Sequence, residues 1–442
     1  MAARASYRDL VRITGPWFLV LAFLARLPAA MGPLGVITLV VAATGSYGTA
    51  GLAAAAFGIG AAFGGPVAGT LADRFGQRAV GITAAVVDAA AYAALVLAVT
   101  GGFPTAVLPL AALAGFAMPQ VGPLVRVRWA VLLGDRGRQR QLPTAMAYEG
   151  AVDEASFLAG PALVGVLALS GWAGAPLLVA SVLTVLAAVP FALHRTVPPV
   201  LRAPRVEPAT AGPATAGPAA AARAAERAGA AGRMPFSRVA VLVAAMSVIG
   251  VVFGATQTGV TAFADSIGSA GSAGLIYAVL GVGSALAGLA VAWLPESLGP
   301  VSRYLWSAAA LVAGTAALLL AHSTPTALAA VVVLGVTAAP YLISGYALAG
   351  RLCPPRHAGM VMTLLASGVV AGVSLGAAVA GRLADAYGYR GAFAVPLVAA
   401  VLGLLLAALV APGLRRAVRA ADTADAATAA RTAARHPALT SA

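Results

Sequence analysis

Apolar stretches of roughly 20 residues recur along this 442-residue chain, and each is long enough to cross a hydrocarbon core about 30 Å thick as a helix. They fall at 17–43, 48–70, 79–99, 105–129, 144–168 and 172–193 and, after a polar interval, at 239–263, 271–294, 304–320, 326–349, 358–381 and 391–412. Backbone in hydrocarbon must satisfy its own N–H and C=O groups, so runs of this length read as helices rather than open strands. Only 10% of the residues are charged, against about a quarter in a soluble domain. The expectation is an all-α membrane protein with twelve transmembrane helices, numbered crossings 1 to 12. They form two six-helix bundles, over 17–193 and 239–412.

Arginine fixes the orientation. All 28 basic residues are arginine. With residues 1–16 cytoplasmic, 25 arginines fall on the inner side, Arg382 and Arg390 fall outside, and Arg26 lies within crossing 1. An excess of cationic residues marks the cytoplasmic face, so both termini are expected there, and the net charge of +14 reads as topology rather than nucleic-acid binding. The first apolar run is longer than a signal-peptide core of about 7–15 residues and reads as a retained helix. Residues 194–238, with the repeat Pro208-Ala-Thr-Ala-Gly-Pro213-Ala-Thr-Ala-Gly-Pro218, have too few large apolar side chains for a core. They read as a flexible cytoplasmic linker, with a short amphipathic helix near 219–231 as an alternative. Residues 413–442 read as a disordered cytoplasmic tail.

Several chemistries are excluded. Without lysine there is neither a Walker A motif nor a lysine Schiff base. The single cysteine, Cys353, rules out an internal disulfide or a cysteine-cluster metal site. No metal or cofactor is expected. Gly372-Val-Ser374-Leu-Gly376 fits the hydrolase Gly-x-Ser-x-Gly pattern, but that motif needs a strand–turn–helix and a histidine. Ser374 is mid-membrane, so helix packing is the better reading and no enzyme is expected.

Charge concentrates between crossings 2 and 3, in Gly69-x-Leu71-Ala72-Asp73-Arg74-x-Gly76-x-Arg78. Together with the six-plus-six layout and the long central cytoplasmic connection, this stretch resembles the signature loop of the major facilitator superfamily. The resemblance implies a transporter working by alternating access, with Asp73, Arg74 and Arg78 holding the two halves together at a cytoplasmic gate when the cleft faces outward. Gly160-Pro161 in crossing 5, followed by Gly165, resembles in part the Gly-Pro motif of the family's antiporters and implies a bend at the domain interface. The arginine that often supports proton coupling in the first half of crossing 4 is missing, since 105–118 is uncharged. Pro119 and Pro340 occupy similar places in the two halves, as an internal duplication predicts.

Ions within the crossings carry the remaining signal. Arg26, Asp88, Glu149, Asp153 and Glu154 lie in crossings 1, 3 and 5, and each costs about 2.5–3.5 kcal/mol to insert at mid-helix. Counted from Trp17, Ala79 and Pro143, three of them (Arg26, Asp88 and Asp153) are about 14 Å deep at 1.5 Å per residue. Arg26 is therefore expected to pair with Asp153 or Glu154, with Asp88 a weaker candidate. Glu149 and Asp153 share a helical face. A cluster of this kind could titrate and couple protons, or it could be a static ion pair that fixes packing. Thr256, Gln257, Tyr277, Tyr341 and Tyr346 are the polar groups open to a C-terminal half-site. Gly381-Arg-Leu-Ala-Asp385-Ala-Tyr-Gly388 repeats the gate turn but falls outside, and reads as similar turn chemistry rather than a second hinge.

The expectation is a secondary transporter of the plasma membrane, monomeric, taking a small-molecule substrate, with protons as the candidate coupling ion and export of a fairly apolar compound as the sharper form. Alternatives are an importer or uniporter of an anionic solute held by Arg26, and a non-transporting receptor on the same fold.

Overall fold

The computed structural model describes residues 7–138, 141–198, 236–291, 299–352 and 358–435. The linker repeat, the alternative helix near 219–231 and Cys353 lie outside the described residues.

Twelve crossings in two bundles are present. Crossing 1 consists of Pro16–Leu24 and Leu27–Thr44, crossing 2 is Tyr47–Phe75, and crossing 3 is Gln77–Thr100. Crossing 4 divides into Pro104–Ala117 and Val121–Asp135, crossing 5 is Leu142–Ala168, and crossing 6 runs through Ala175–Leu183, a π-helical turn at Thr184–Ala188 and Val189–Leu193. The second bundle begins with Phe236–Ser266 as crossing 7, then Ala273–Val291, Pro300–Ala317 and Thr324–Leu352 as crossings 8 to 10. Crossings 11 and 12 form Ala358–Arg435, broken at Gly388, whose φ of 66° and ψ of −166° are non-helical. A short amphipathic helix, Tyr7–Thr14, precedes crossing 1 and buries Leu10 and Ile13.

Three features differ from the sequence expectation. The tail, expected to be disordered from Gly413, continues as helix to Arg435. Crossing 4, expected to end at 129, continues as helix to Asp135, so Arg126 and Arg128 lie well inside Val121–Asp135. The two duplicated prolines behave differently. Crossing 4 breaks at Pro119 because the preceding residue is pushed out of the helical region, and Met118 is extended at ψ 122°. Pro340 instead sits within a continuous helix.

Small residues let the helices approach closely, as membrane packing requires. Within the first bundle Gly115 of crossing 4 faces the Phe57 carbonyl of crossing 2, and within the second Gly335 of crossing 10 faces the Leu280 carbonyl of crossing 8. These are equivalent places in the two bundles. Between the bundles, crossing 2 meets crossing 11 at Gly51 and Ala377 and again at Gly58 and Ser374, while crossing 5 meets crossing 8 at Gly165 and Leu275. All these contacts lie in the outer halves of the helices. Toward the cytoplasm the same face of crossing 2 has no neighbour: Gly69, five helical turns on from Gly51, has nothing within 4 Å of an added Cβ. The bundles therefore close on the outside and open a cleft to the cytoplasm.

Candidate functional site

A four-residue charge network occupies the N-terminal bundle. Arg26 stands at the break in crossing 1, where Pro28 follows in the first turn of Leu27–Thr44 and cannot donate a backbone hydrogen bond. Each of its three nitrogens makes a hydrogen bond. Nε donates to Asp153 Oδ1 at 2.8 Å, Nη1 donates to the Ala22 carbonyl at 2.8 Å, and Nη2 donates to Glu149 Oε2. Asp153 Oδ2 accepts from Arg126 Nη2 at 2.5 Å, and Glu149 Oε1 accepts from Trp129 Nε1 at 2.6 Å.

Helical spacing explains the convergence. Glu149 and Asp153 are four apart on crossing 5, and Arg126 and Trp129 three apart on crossing 4, so each pair shares a face. Two cations meet two anions and the network is neutral. Its exposure is graded: Glu149 is 0%, Arg26 6%, Asp153 29% and Arg126 38% exposed. The network thus runs from the bundle interior to its surface. It also lies at a seam, with Ala25 in one apolar core and Leu27 in the next. Leaving one of these charges without its partner would cost several kcal/mol.

The other acids stand apart. Asp88 is fully buried on crossing 3, where Oδ2 accepts from Thr184 Oγ1 at 3.1 Å and Oδ1 has no hydrogen-bond partner among the described residues. Its equal depth does not bring it to Arg26, because its side of crossing 3 turns toward the π-helical turn of crossing 6. Glu154 is exposed and is not bonded to Arg26, contrary to one of the two expected pairings. It lies four residues before Leu158, which packs on Gly281 of crossing 8. Glu154 is thus on the interface side of crossing 5, where the bundles have parted.

The helix remains continuous through Gly160 and Pro161. Gly160 lies against Ala30 of crossing 1, and the Pro161 carbonyl against Gly274 of crossing 8. In the turn between crossings 2 and 3 Gly76 takes φ 89°, a conformation suited to glycine. Asp73, Arg74 and Arg78 are exposed, and none of them makes an ion pair among the described residues. Beside this turn, Arg128 is fully buried. It donates from Nε to Gln77 Oε1 at 2.9 Å and from Nη1 to the Phe191 carbonyl at 2.8 Å, with its guanidinium 3.8 Å from the Phe191 ring centre. It ties crossings 3, 4 and 6 together.

In the C-terminal bundle Tyr341 bonds Tyr304 and the Ala245 carbonyl, and Thr256 bonds the Val252 carbonyl, so these two are packing residues. Tyr277 and Gln257 are both buried. Arg126, Trp129 and Arg128 were not singled out from the sequence. The available signal was the continuation of helical spacing past Trp129 to Asp135, which places both arginines within the helix rather than at its end.

Two bundles closed outside and open inside, with charges buried at a helix break, define a polytopic transport protein. The sequence profile of the Major Facilitator Superfamily matches residues 18–332 and 258–441, and the chain belongs to that family. Among solved structures it is similar to a point mutant of the nucleoside transporter NupG, with a TM-score of 0.67 and 18% identity over 90% of this chain and 99% of that one. It is similar to a D-xylose–proton symporter at 0.63 and 15%, over 88% and 96%. A bacterial homolog of the human lysosomal transporter Spinster gives 0.62 and 15%, over 93% and 97%. No functionally curated protein matches the chain in sequence. The family and these neighbours make the chain a multi-pass secondary transporter.

Proposed function

We propose that the protein is a proton-coupled exporter of a small, fairly apolar organic compound, with the network of Arg26, Arg126, Glu149 and Asp153 as its coupling element. The observation that carries this reading is Asp153: it is shared by two arginines and partly exposed, while Glu149 behind it is sealed. A proton delivered to Asp153 from the cleft would weaken its bonds to Arg26 and Arg126 together. Those bonds hold crossings 1, 4 and 5 in register, so protonation state and helix arrangement are linked. Glu154, on the interface side of crossing 5, is the second acid within reach of the cleft. Apart from these groups the crossings are overwhelmingly apolar, which suits a substrate of the same character.

Reading Arg26 as the dock for an anionic solute is less well supported. All three of its nitrogens are already bonded and the side chain is only 6% exposed, so a substrate carboxylate would have to enter a buried site and compete with two protein carboxylates. The test begins with the sensitivity of a deletion strain across a compound panel. The compound that separates it most from wild type is then followed in proteoliposomes, with and without an imposed pH gradient. Export faster with inward proton flow supports the reading, and a rate indifferent to the gradient overturns it.

A further inference from the structure

One turn sequence occurs twice. Gly69-x-Leu71-Ala72-Asp73-x-x-Gly76 and Gly381-x-Leu383-Ala384-Asp385-x-x-Gly388 agree at every named position. The first closes crossing 2, which runs inward, and the second closes crossing 11, which runs outward. Both end on a glycine of positive φ, 89° at Gly76 and 66° at Gly388. Crossings 2 and 11 lie antiparallel against each other across the bundle boundary. Each therefore carries an aspartate near its C-terminus, on the membrane face where the other begins.

Carboxylates are disfavoured at the negative end of their own helix and favoured at the positive end of another. At the outer end that exchange is complete. Asp385 Oδ1 accepts the Tyr47 backbone N–H at 2.7 Å, and Oδ2 accepts the Gly48 N–H at 2.9 Å and the Ser46 hydroxyl at 2.8 Å. Ser46 Oγ in turn accepts the Thr49 N–H at 3.1 Å. The first three N–H groups of crossing 2, which have no partner within their own helix, are thus satisfied, and two of them by the opposite bundle. A Cβ at Gly48 would stand 2.7 Å from Asp385 Oδ2, so glycine is required for the approach. The Tyr47 hydroxyl adds a second cross-bundle bond, to Asp265 Oδ2 at 2.7 Å. At the inner end Asp73 is exposed and makes no ion pair among the described residues. The turn at Asp385, read from sequence as local turn chemistry, is therefore a contact between the bundles.

We propose that Asp385 is the extracellular latch of this transporter. Its carboxylate caps crossing 2 while the cleft faces the cytoplasm and releases it when the outer side opens. Asp73 is its inverted counterpart at the cytoplasmic end of the same helix pair. Asp385 is a positioning residue: it sets the balance between the two states and does not touch substrate. The inference rests on the fold and does not depend on what is carried or on proton coupling.

The test uses the full chain in nanodiscs, in a Cys353→Ser background, with spin labels in two pairs. One pair, at Ser170→Cys and Ser269→Cys, reports the outer side; the other, at Ala79→Cys and Met360→Cys, reports the inner side. Distances are read by double electron–electron resonance. Asp385→Asn is expected to raise the ratio of outward-open to inward-open molecules by about three- to thirty-fold, the range for losing a helix cap. Gly48→Ala, which obstructs the approach without touching the acid, should shift the ratio in the same direction. Asp73→Asn should shift it the opposite way. The proposal is overturned by unchanged distance distributions in both outer variants, by a loss of thermal stability without a change in the ratio, or by Asp73→Asn and Asp385→Asn moving it in the same direction.

Discussion

Glu149 and Arg26 meet inside the N-terminal bundle at a point where the glutamate is wholly sealed from solvent, its other oxygen taking the indole N–H of Trp129 at 2.6 Å. Breaking one side of such a pair leaves a charge in a medium that cannot solvate it, at a cost of about 3–5 kcal/mol. Glu149→Gln should accordingly lower thermal stability in detergent well beyond the effect of a surface change. Arg26→Met combined with Glu149→Leu should recover most of that loss while transport stays absent. A single variant as stable as wild type would show that the pair does not hold the bundle.

Arg128 poses a different test, because its partners demand the planar shape of a guanidinium. Lysine cannot reach the Gln77 side chain and the Phe191 carbonyl together, nor stack on the Phe191 ring. Arg128→Lys should cost about 1–3 kcal/mol, read as a lowered unfolding midpoint. Gln77→Leu in the same protein should add little further loss, since the two changes share one contact.

His194 lies just past the last turn of crossing 6, outside the membrane. Burial first, then Arg128 and Arg195, hold its imidazole below the ordinary histidine range. It packs on the Phe18 ring at 5.3 Å, and its Nδ1 is 3.1 Å from Thr196 Oγ1. A group whose folded pKa is depressed contributes stability above its unfolded value of about 6.5 and loses it as pH falls. Unfolding midpoints should fall as the pH is lowered from above that value to below it, and His194→Gln should flatten that slope. An identical slope in the variant would assign the pH dependence elsewhere.

Gly160 packs on Ala30 so closely that an ideal Cβ would lie 2.5 Å from the alanine methyl and 2.9 Å from its carbonyl carbon. Gly160→Val should separate crossings 5 and 1 at a cost of about 1–3 kcal/mol and loosen the Arg26–Asp153 contact. Gly150→Val, at a position with nothing within 4 Å, is the matched control and should leave stability near wild type.

The twelve crossings were legible because hydropathy reports directly on the bilayer. The meeting of Arg26 and Asp153 was legible for a related reason, as both were counted inward from the same face. Depth is only one coordinate, however. Asp88 has the depth but turns toward crossing 6, and only packing shows which way a side of a helix points. Glu154 is one residue from Asp153 and so points about 100° away from it on an ideal helix. Arg126 was passed over because an arginine near a helix end reads as an interfacial anchor, whereas here the helix runs on to Asp135. The role of Asp385 was hidden because its partners are backbone amides more than 330 residues away, and they have no sequence signature.

Coupling through Asp153 is the central claim, and flux of the identified substrate in proteoliposomes tests it most directly. With proton flow imposed, wild-type flux should exceed its gradient-free rate, whereas Asp153→Asn, inserted and folded to the same level, should run at one rate in both conditions. An Asp153→Asn protein that still follows the pH gradient would contradict the account.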